Sequence, residues 1–116
     1  MHEILKEREE QRRKVIEKLK EDALKAKERV GKISVVLFGS YARGDFNLWS
    51  DVDVIVVTEA VKGVRFIERW KLFPEFYDYE TIFWTPEEAE KLLKKPAWKK
   101  ALEHKVVILD DFGLLE

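Results

Sequence analysis

Apolar side chains recur at steps of three and four from Val15 through Ile16, Leu19 and Ala23 to Val30, with Lys, Arg and Glu between them. That period puts one apolar stripe on a helix spanning residues 3–30. Gly31 supplies a C-terminal stop. Opposite charges four apart, as at Glu10 and Lys14 or Glu21 and Lys25, add local support. The stripe is thin before Val15, so the first two turns are expected to fray or to need a partner. Only about two heptads can be counted, too few for a coiled coil.

The period then changes. Ile33 to Phe38 is a short β-rich run that stops at Gly39-Ser40. Tyr41 to Ser50 is polar and punctuated by glycine, which predicts no long element. Asp51 to Thr58 predicts a strand with acids only at its entry. Residues 64–73 fit an amphipathic helix ended by Pro74, and Phe76 to Trp84 a third strand rich in aromatic residues. Thr85-Pro86-Glu87-Glu88 combines a cap, a proline for the first helical position and a glutamate three residues after the cap. The helix it starts runs to Lys94, Pro96 breaks it, and a helical piece over 97–103 precedes a last strand, Lys105 to Leu109. This order predicts an α/β chain of the α+β type: a small sheet flanked by helices, with a long N-terminal helix.

Length makes this one domain of 116 residues, divided into the helix 1–30, a core 31–90 and a C-terminal helix and strand 91–116. No apolar run exceeds four residues, as at Val54–Val57, so no segment is expected to span a bilayer. The charged N-terminus lacks the apolar stretch of a signal peptide, which points to the cytoplasm. Cysteine is absent, which excludes disulfides, a thiolate nucleophile and Cys-based metal sites. His2 and His104 are far apart and read as surface residues. Net charge is −1, so a generic grip on nucleic acid is not expected. Asn47, Gln11 and Met1 are the sole residues of their types beside many Lys, Glu and Arg, a thermophile-like composition.

The chemistry concentrates in Gly39-Ser40-Tyr41-Ala42-Arg43-Gly44 and Ser50-Asp51-Val52-Asp53. Gly39 follows a strand, and Ser40 is expected to cap a short helical turn. Backbone N–H groups at such a turn favour an anion, and glycine lets the backbone approach phosphate closely. Arg43 lies in the same turn. Asp51 and Asp53 alternate along a strand and so share a face. Two carboxylates this close repel unless a cation sits between them, and a hard divalent ion, Mg²⁺ or Mn²⁺, suits oxygen ligands. A Gly-Ser turn or an Asp-x-Asp pair is common alone. Together, twelve residues apart, they describe a site for a metal–nucleoside triphosphate.

Gly39-Ser40, Arg43-Gly44 and Ser50-Asp51-Val52-Asp53 resemble the signature of the polymerase-β-type nucleotidyltransferase superfamily, and the chain's small size resembles its minimal branch. The resemblance covers roughly residues 30–90. It implies a mixed sheet with flanking helices, metal ligation by Asp51 and Asp53, and a nucleotide site at Gly39, Ser40, Arg43, Gly44 and Ser50. It also implies a third carboxylate on a later strand, and both Asp78 and Glu80 qualify. Both are expected on one strand face. The resemblance favours Glu80, because in similar small members the acid stands just ahead of an apolar run ending in Thr-Pro, as here in Thr81-Ile82-Phe83-Trp84-Thr85-Pro86.

What the resemblance implies for activity is transfer of a nucleoside monophosphate, AMP from ATP above all, to an acceptor hydroxyl. In the minimal branch it implies a toxin–antitoxin pairing with a helical HEPN-type ribonuclease, whose tyrosine hydroxyl is one acceptor. An RNA 3′ end or a small molecule as acceptor and a homodimer stay open, and template-directed synthesis is not expected. A non-catalytic nucleotide- or partner-binding module of the same fold is the alternative. Two further features have more than one reading. The six lysines between Lys91 and Lys105, with Trp98 among them, read as a solvated helix face or an RNA contact. Trp49 reads as a loop anchor or a stacking surface for a base.

Overall fold

Four strands form the centre of the molecule: β1 (Ser34–Phe38), β2 (Asp53–Val57), β3 (Glu80–Trp84) and β4 (Val106–Asp110). The computed structural model describes residues 2–47 and 49–116, His2 by its backbone alone, so the expected surface position of the His2 side chain lies outside the described residues. His104 is exposed. The strands lie in the order β3-β2-β1-β4. β1 runs antiparallel to both of its neighbours, and β2 and β3 are parallel, so the sheet is mixed. The helices are α1 (His2–Val30), α2 (Ser40–Arg43), α3 (Pro86–Leu92) and α4 (Pro96–Ala101).

Alternation along the strands sorts the core into two layers. Val35, Leu37, Val54, Val56 and Phe83 face α1, where Leu19, Ala23 and Ala26 are fully buried. The two alanines let the helix lie close to the sheet. Val36, Ile55, Val57 and Trp84 face the other way, under Ala89, Leu102 and Leu115. Trp98 belongs to this second layer, with its ring edge-on to Trp84 at 4.9 Å and near Phe38 at 5.9 Å. Its stem is therefore committed to packing, while the neighbouring Lys94, Lys95, Lys99, Lys100 and Lys105 are exposed.

Residues 58–79 make the crossover that a parallel pair requires. The helix expected over 64–73 is a 3-10 helix, Phe66–Leu72. Gly63 and Pro74 bound it closely, and Arg69 tethers its middle, so the segment tightens instead of winding as α-helix. The third strand starts at Glu80, not at Phe76. Strand β3 can pair only as far back as β2 extends, and Asp53 is in register with Glu80. Phe76 instead closes the 3-10 turn Pro74–Phe76. The second strand likewise begins at Asp53 rather than Asp51, because its partner β1 ends at Phe38, opposite Asp53.

Arg69 is the crossover's anchor and is buried. Its guanidinium donates to the carbonyls of Val64 and Phe83, both at 2.9 Å, and to the Glu88 carboxylate at 2.6 and 3.1 Å. Glu88 also accepts from the Thr85 backbone N–H at 2.8 Å, completing the expected capping box of α3. Arg69, together with the Thr85 cap, holds the Glu88 carboxyl below its usual range. A lowered carboxylate contributes stability above its unfolded value and loses it as pH falls through the folded one. Replacing Arg69 by Met removes a donor from the Phe83 carbonyl and leaves Glu88 only the Thr85 N–H. Urea unfolding should show a loss of about 2–3 kcal/mol at neutral pH, smaller in acid, where Glu88 is protonated.

Candidate active site

Strand β1 ends where the chain must turn sharply, and the residue there is Gly39. Its φ of 75° and ψ of −152° fall in a region open essentially to glycine. Space imposes a second demand. A Cβ on Gly39 would run into the Asp53 carboxylate, 3.2 Å from its Cγ and closer still to Oδ2. Gly39, not Ser40, is the residue that precedes the first turn of α2, and no side chain caps that turn. Ser40 is the first helical residue instead, and its carbonyl accepts from the N–H groups of Gly44 (2.8 Å) and Asp45 (3.2 Å). Gly44, with φ 87°, ends α2 in the left-handed conformation.

Asp53 opens β2 on the sheet face that carries Ile55 and Val57. Its register partners are Phe38 on one side and Glu80 on the other. Paired residues share a face, so Asp53 and Glu80 stand side by side, just beyond the apolar layer that Phe38 and Trp98 close. Asp51 lies two residues ahead and is exposed. Partial burial first, then the charges of Asp51 and Glu80, push the Asp53 carboxyl above its usual range. Arg43 acts in the opposite sense, but its Nε donates to Asp45 at 3.1 Å, which divides its charge.

Asp78, the other expected third acid, does not share that face. It sits in the turn before β3, and its carboxylate accepts from Lys18 Nζ of α1 at 2.9 Å. The shared face required a strand from Phe76, and the strand begins at Glu80. Ser50 closes the preceding loop: its hydroxyl accepts from the Asn47 backbone N–H at 2.9 Å. Trp49 is 88% exposed, so it anchors nothing in the loop. The structure thus brings together Gly39, Arg43, Asp51, Asp53 and Glu80, keeps Ser40 and Gly44 in the adjoining turn, and ties Asp78 elsewhere.

Among the described residues, no three Asp, Glu or His side chains are gathered closely enough to chelate one ion as they stand. The donor set still fits a hard divalent cation. Mg²⁺ is typically held by one or two carboxylates together with water and substrate phosphates, not by an all-protein cage. Repulsion among Asp51, Asp53 and Glu80 is the charge imbalance such an ion relieves. A residue that sequence reading missed is Arg12, in the expected thin part of the first helix. Its Nε donates to the Tyr41 carbonyl at 2.8 Å and its Nη2 to the Ala42 carbonyl at 3.1 Å. One arginine among many on a charged helix carries no sequence signal of that contact.

The direction of the Asp53 shift has a consequence for stability. An acid whose folded value is raised costs stability once pH exceeds its unfolded value, because the folded state resists ionisation. Asp53→Asn should therefore melt at a higher temperature than the parent at pH 7 without divalent ions, and at nearly the same temperature at pH 3. Adding Mg²⁺ or Mn²⁺ should raise the melting temperature of the parent and leave the variant unmoved. Gly39→Ala should lower it, since it combines backbone strain of about 1–3 kcal/mol with displacement of Asp53.

Residues 12–109 match the family described as the nucleotidyltransferase domain. Over 36 residues the chain is 50% identical to a candidate protein adenylyltransferase of Methanocaldococcus jannaschii, a stretch covering 31% of this chain and 36% of that protein. The chain thus matches about a third of the length of this curated relative. A crystal structure of a candidate nucleotidyltransferase from Sulfolobus solfataricus superimposes with a TM-score of 0.63 at 22% identity, over 86% of this chain and 84% of that one, which is a likeness of fold. The family match runs from Arg12 to Leu109 and takes in the Gly39 turn, the acidic pair and Glu80, and so this chain belongs to the nucleotidyltransferase domain family.

Proposed function

We propose that this protein is a metal-dependent nucleotidyltransferase that moves AMP from ATP to a hydroxyl on a protein acceptor. The observation that carries the reading is Asp53: a carboxylate raised by partial burial first and then by Asp51 and Glu80, with the backbone of a glycine turn against it. Catalysis of phosphoryl-group transfer is mostly positioning and charge neutralisation, and that is what such a constellation supplies. Asp51, Asp53 and Glu80 are the residues that would hold divalent ions, which supply charge neutralisation at the phosphates. Gly39, Ser40, Gly44 and Ser50 shape the side on which the triphosphate lies, and Arg43 supplies a positive charge there.

The acceptor oxygen attacks the α-phosphorus. A new phosphorus–oxygen bond forms to the acceptor, the bond from the α-phosphorus to the bridging oxygen breaks, and pyrophosphate leaves with that electron pair. Glu80 stands on the strand beside Asp53 and is the group we assign to receive the acceptor's proton. A protein acceptor is favoured over RNA by the surface next to Glu80. That residue lines a groove of about 480 Å³ together with Trp70, Phe73, Phe76, Tyr77 and Tyr79. Apolar rings beside that one carboxylate suit a polypeptide better than a polyanion. The name of the Methanocaldococcus relative points the same way. The resemblance to the minimal branch suggests a HEPN-type partner as the protein that carries the hydroxyl.

The test is label transfer. The protein is incubated with Mg²⁺ and each α-³²P nucleoside triphosphate, with the product of the adjacent gene and bulk RNA as acceptors. Label from ATP should appear on the protein acceptor, fall at least a hundredfold in Asp51→Asn and Asp53→Asn, and fall strongly in Glu80→Gln but not in Asp78→Asn. Tight binding of the partner with no label in any combination would leave the chain a non-catalytic binding module of the same fold.

A further inference from the structure

Helix α2 is a single turn, and a single turn has almost no internal hydrogen bonds to hold its direction. The turn is closed by the Arg43 N–H to the Gly39 carbonyl, at 3.0 Å, and by the N–H groups of Gly44 and Asp45 to the Ser40 carbonyl, at 2.8 and 3.2 Å. The carbonyls of Tyr41 and Ala42 point out of its C-terminal end. Arg12, twenty-nine and thirty residues earlier in the chain, donates to both. Arg12 is half-buried, and it takes part in no ion pair among the described residues. A half-buried guanidinium spent on two backbone carbonyls, with no carboxylate to neutralise it, is an unusual use of the residue.

The remainder of the contact follows from the same geometry. Tyr41 and Ala42 are buried, and Tyr41 stacks on Phe46 at 4.0 Å. The apolar side chains therefore fix where α2 sits. They do little to fix how it is rotated about its own axis, since a single turn can roll without uncovering much area. Two donors in a rigid planar fork, aimed at two successive carbonyls, do fix that rotation. Rotation is what matters at the N-terminal end of α2, where Gly39 lies against Asp53; the charge of Arg43, at the far end of the turn, also acts on that carboxylate.

We propose that Arg12 is a positioning residue, which holds the rotation of α2 and through it the alignment of the Gly39–Arg43 turn with Asp53 for nucleotide binding. The inference rests on the nucleotidyltransferase reading. It also assigns a purpose to the part of α1 that lacks an apolar stripe: the helix extends past the core to deliver this side chain. Lysine keeps the charge but has one ammonium in place of a fork, so it holds a single carbonyl. Glutamine keeps neither the charge nor the fork.

The test joins nucleotide affinity to a report on α2 itself. Mg·ATP binding is measured by calorimetry, and amide hydrogen exchange without nucleotide, on the parent, Arg12→Gln, Arg12→Lys and Asp53→Asn. Arg12→Gln should weaken Mg·ATP about tenfold or more and speed exchange at residues 41–45, leaving β1 and β2 protected. Arg12→Lys should fall between it and the parent in both readouts. Weakened nucleotide with unchanged exchange at 41–45 would mean that Arg12 touches the ligand directly, and would overturn positioning. Faster exchange with unchanged affinity would make the contact merely structural, with the same consequence. If the parent binds no more Mg·ATP than Asp53→Asn does, the nucleotidyltransferase reading itself fails and takes this assignment with it. Unchanged values for both readouts in Arg12→Gln, beside normal binding by the parent, overturn this assignment alone.

Discussion

Between the backbone of Gly39 and the carboxylate of Asp53 there is no room for a methyl group. That close approach governs the arrangement around it. The backbone there requires glycine for its torsions, and a methyl group would push the Asp53 carboxylate aside. The close approach brings the end of β1 against the start of β2 and so aims the following turn over the acidic face. It also partly dries Asp53, which makes every neighbouring charge count for more. Asp51 and Glu80 then act on a group that water cannot fully screen. A surface carboxylate in the same company would feel them far less.

The long N-terminal helix is the frame on which this is mounted. Its apolar residues cover one sheet face, but its polar residues reach to distant segments. Arg12 holds the α2 carbonyls, and Asp22 accepts from the Tyr79 hydroxyl at 2.6 Å, one residue before Glu80. Lys27 meets Asp111 at 2.7 Å, and Arg29 meets Glu75 at 2.8 Å. Both arms of the acidic site, the glycine turn and the entry to β3, are thereby tied to one rigid rod. Exposed ion pairs contribute little to stability, so these contacts matter more for geometry than for energy.

The crossover shows a different balance. Phe73 and Phe76 are buried against Phe83, while Phe66 and Ile67 stay exposed, and so do Trp70 and Tyr77, which line the groove that reaches Glu80. Arg69 holds this short-turned segment down through carbonyls and one carboxylate. A segment held that way can present apolar rings to solvent, because its own stability does not depend on covering them.

Much of this was legible in the residues themselves. Helix α1, all four strands, the α3 capping box and the Gly39-to-Asp53 constellation follow from period, capping chemistry and local alternation, which act within a few residues of chain. What tertiary contacts decided lies where those local rules stop. Strand β3 starts at Glu80 because β2 has nothing earlier to pair with, and this separates Glu80 from Asp78, which two-residue alternation could not do. The crossover tightens into 3-10 turns because Arg69 bonds to Phe83 and Glu88, fourteen and nineteen residues away. Arg12 meets its carbonyls, twenty-nine and thirty residues on, only through the tertiary fold. Local sequence determines which side chains can take part in chemistry; which of them meet is set by strand register and by hydrogen bonds between residues far apart in the chain.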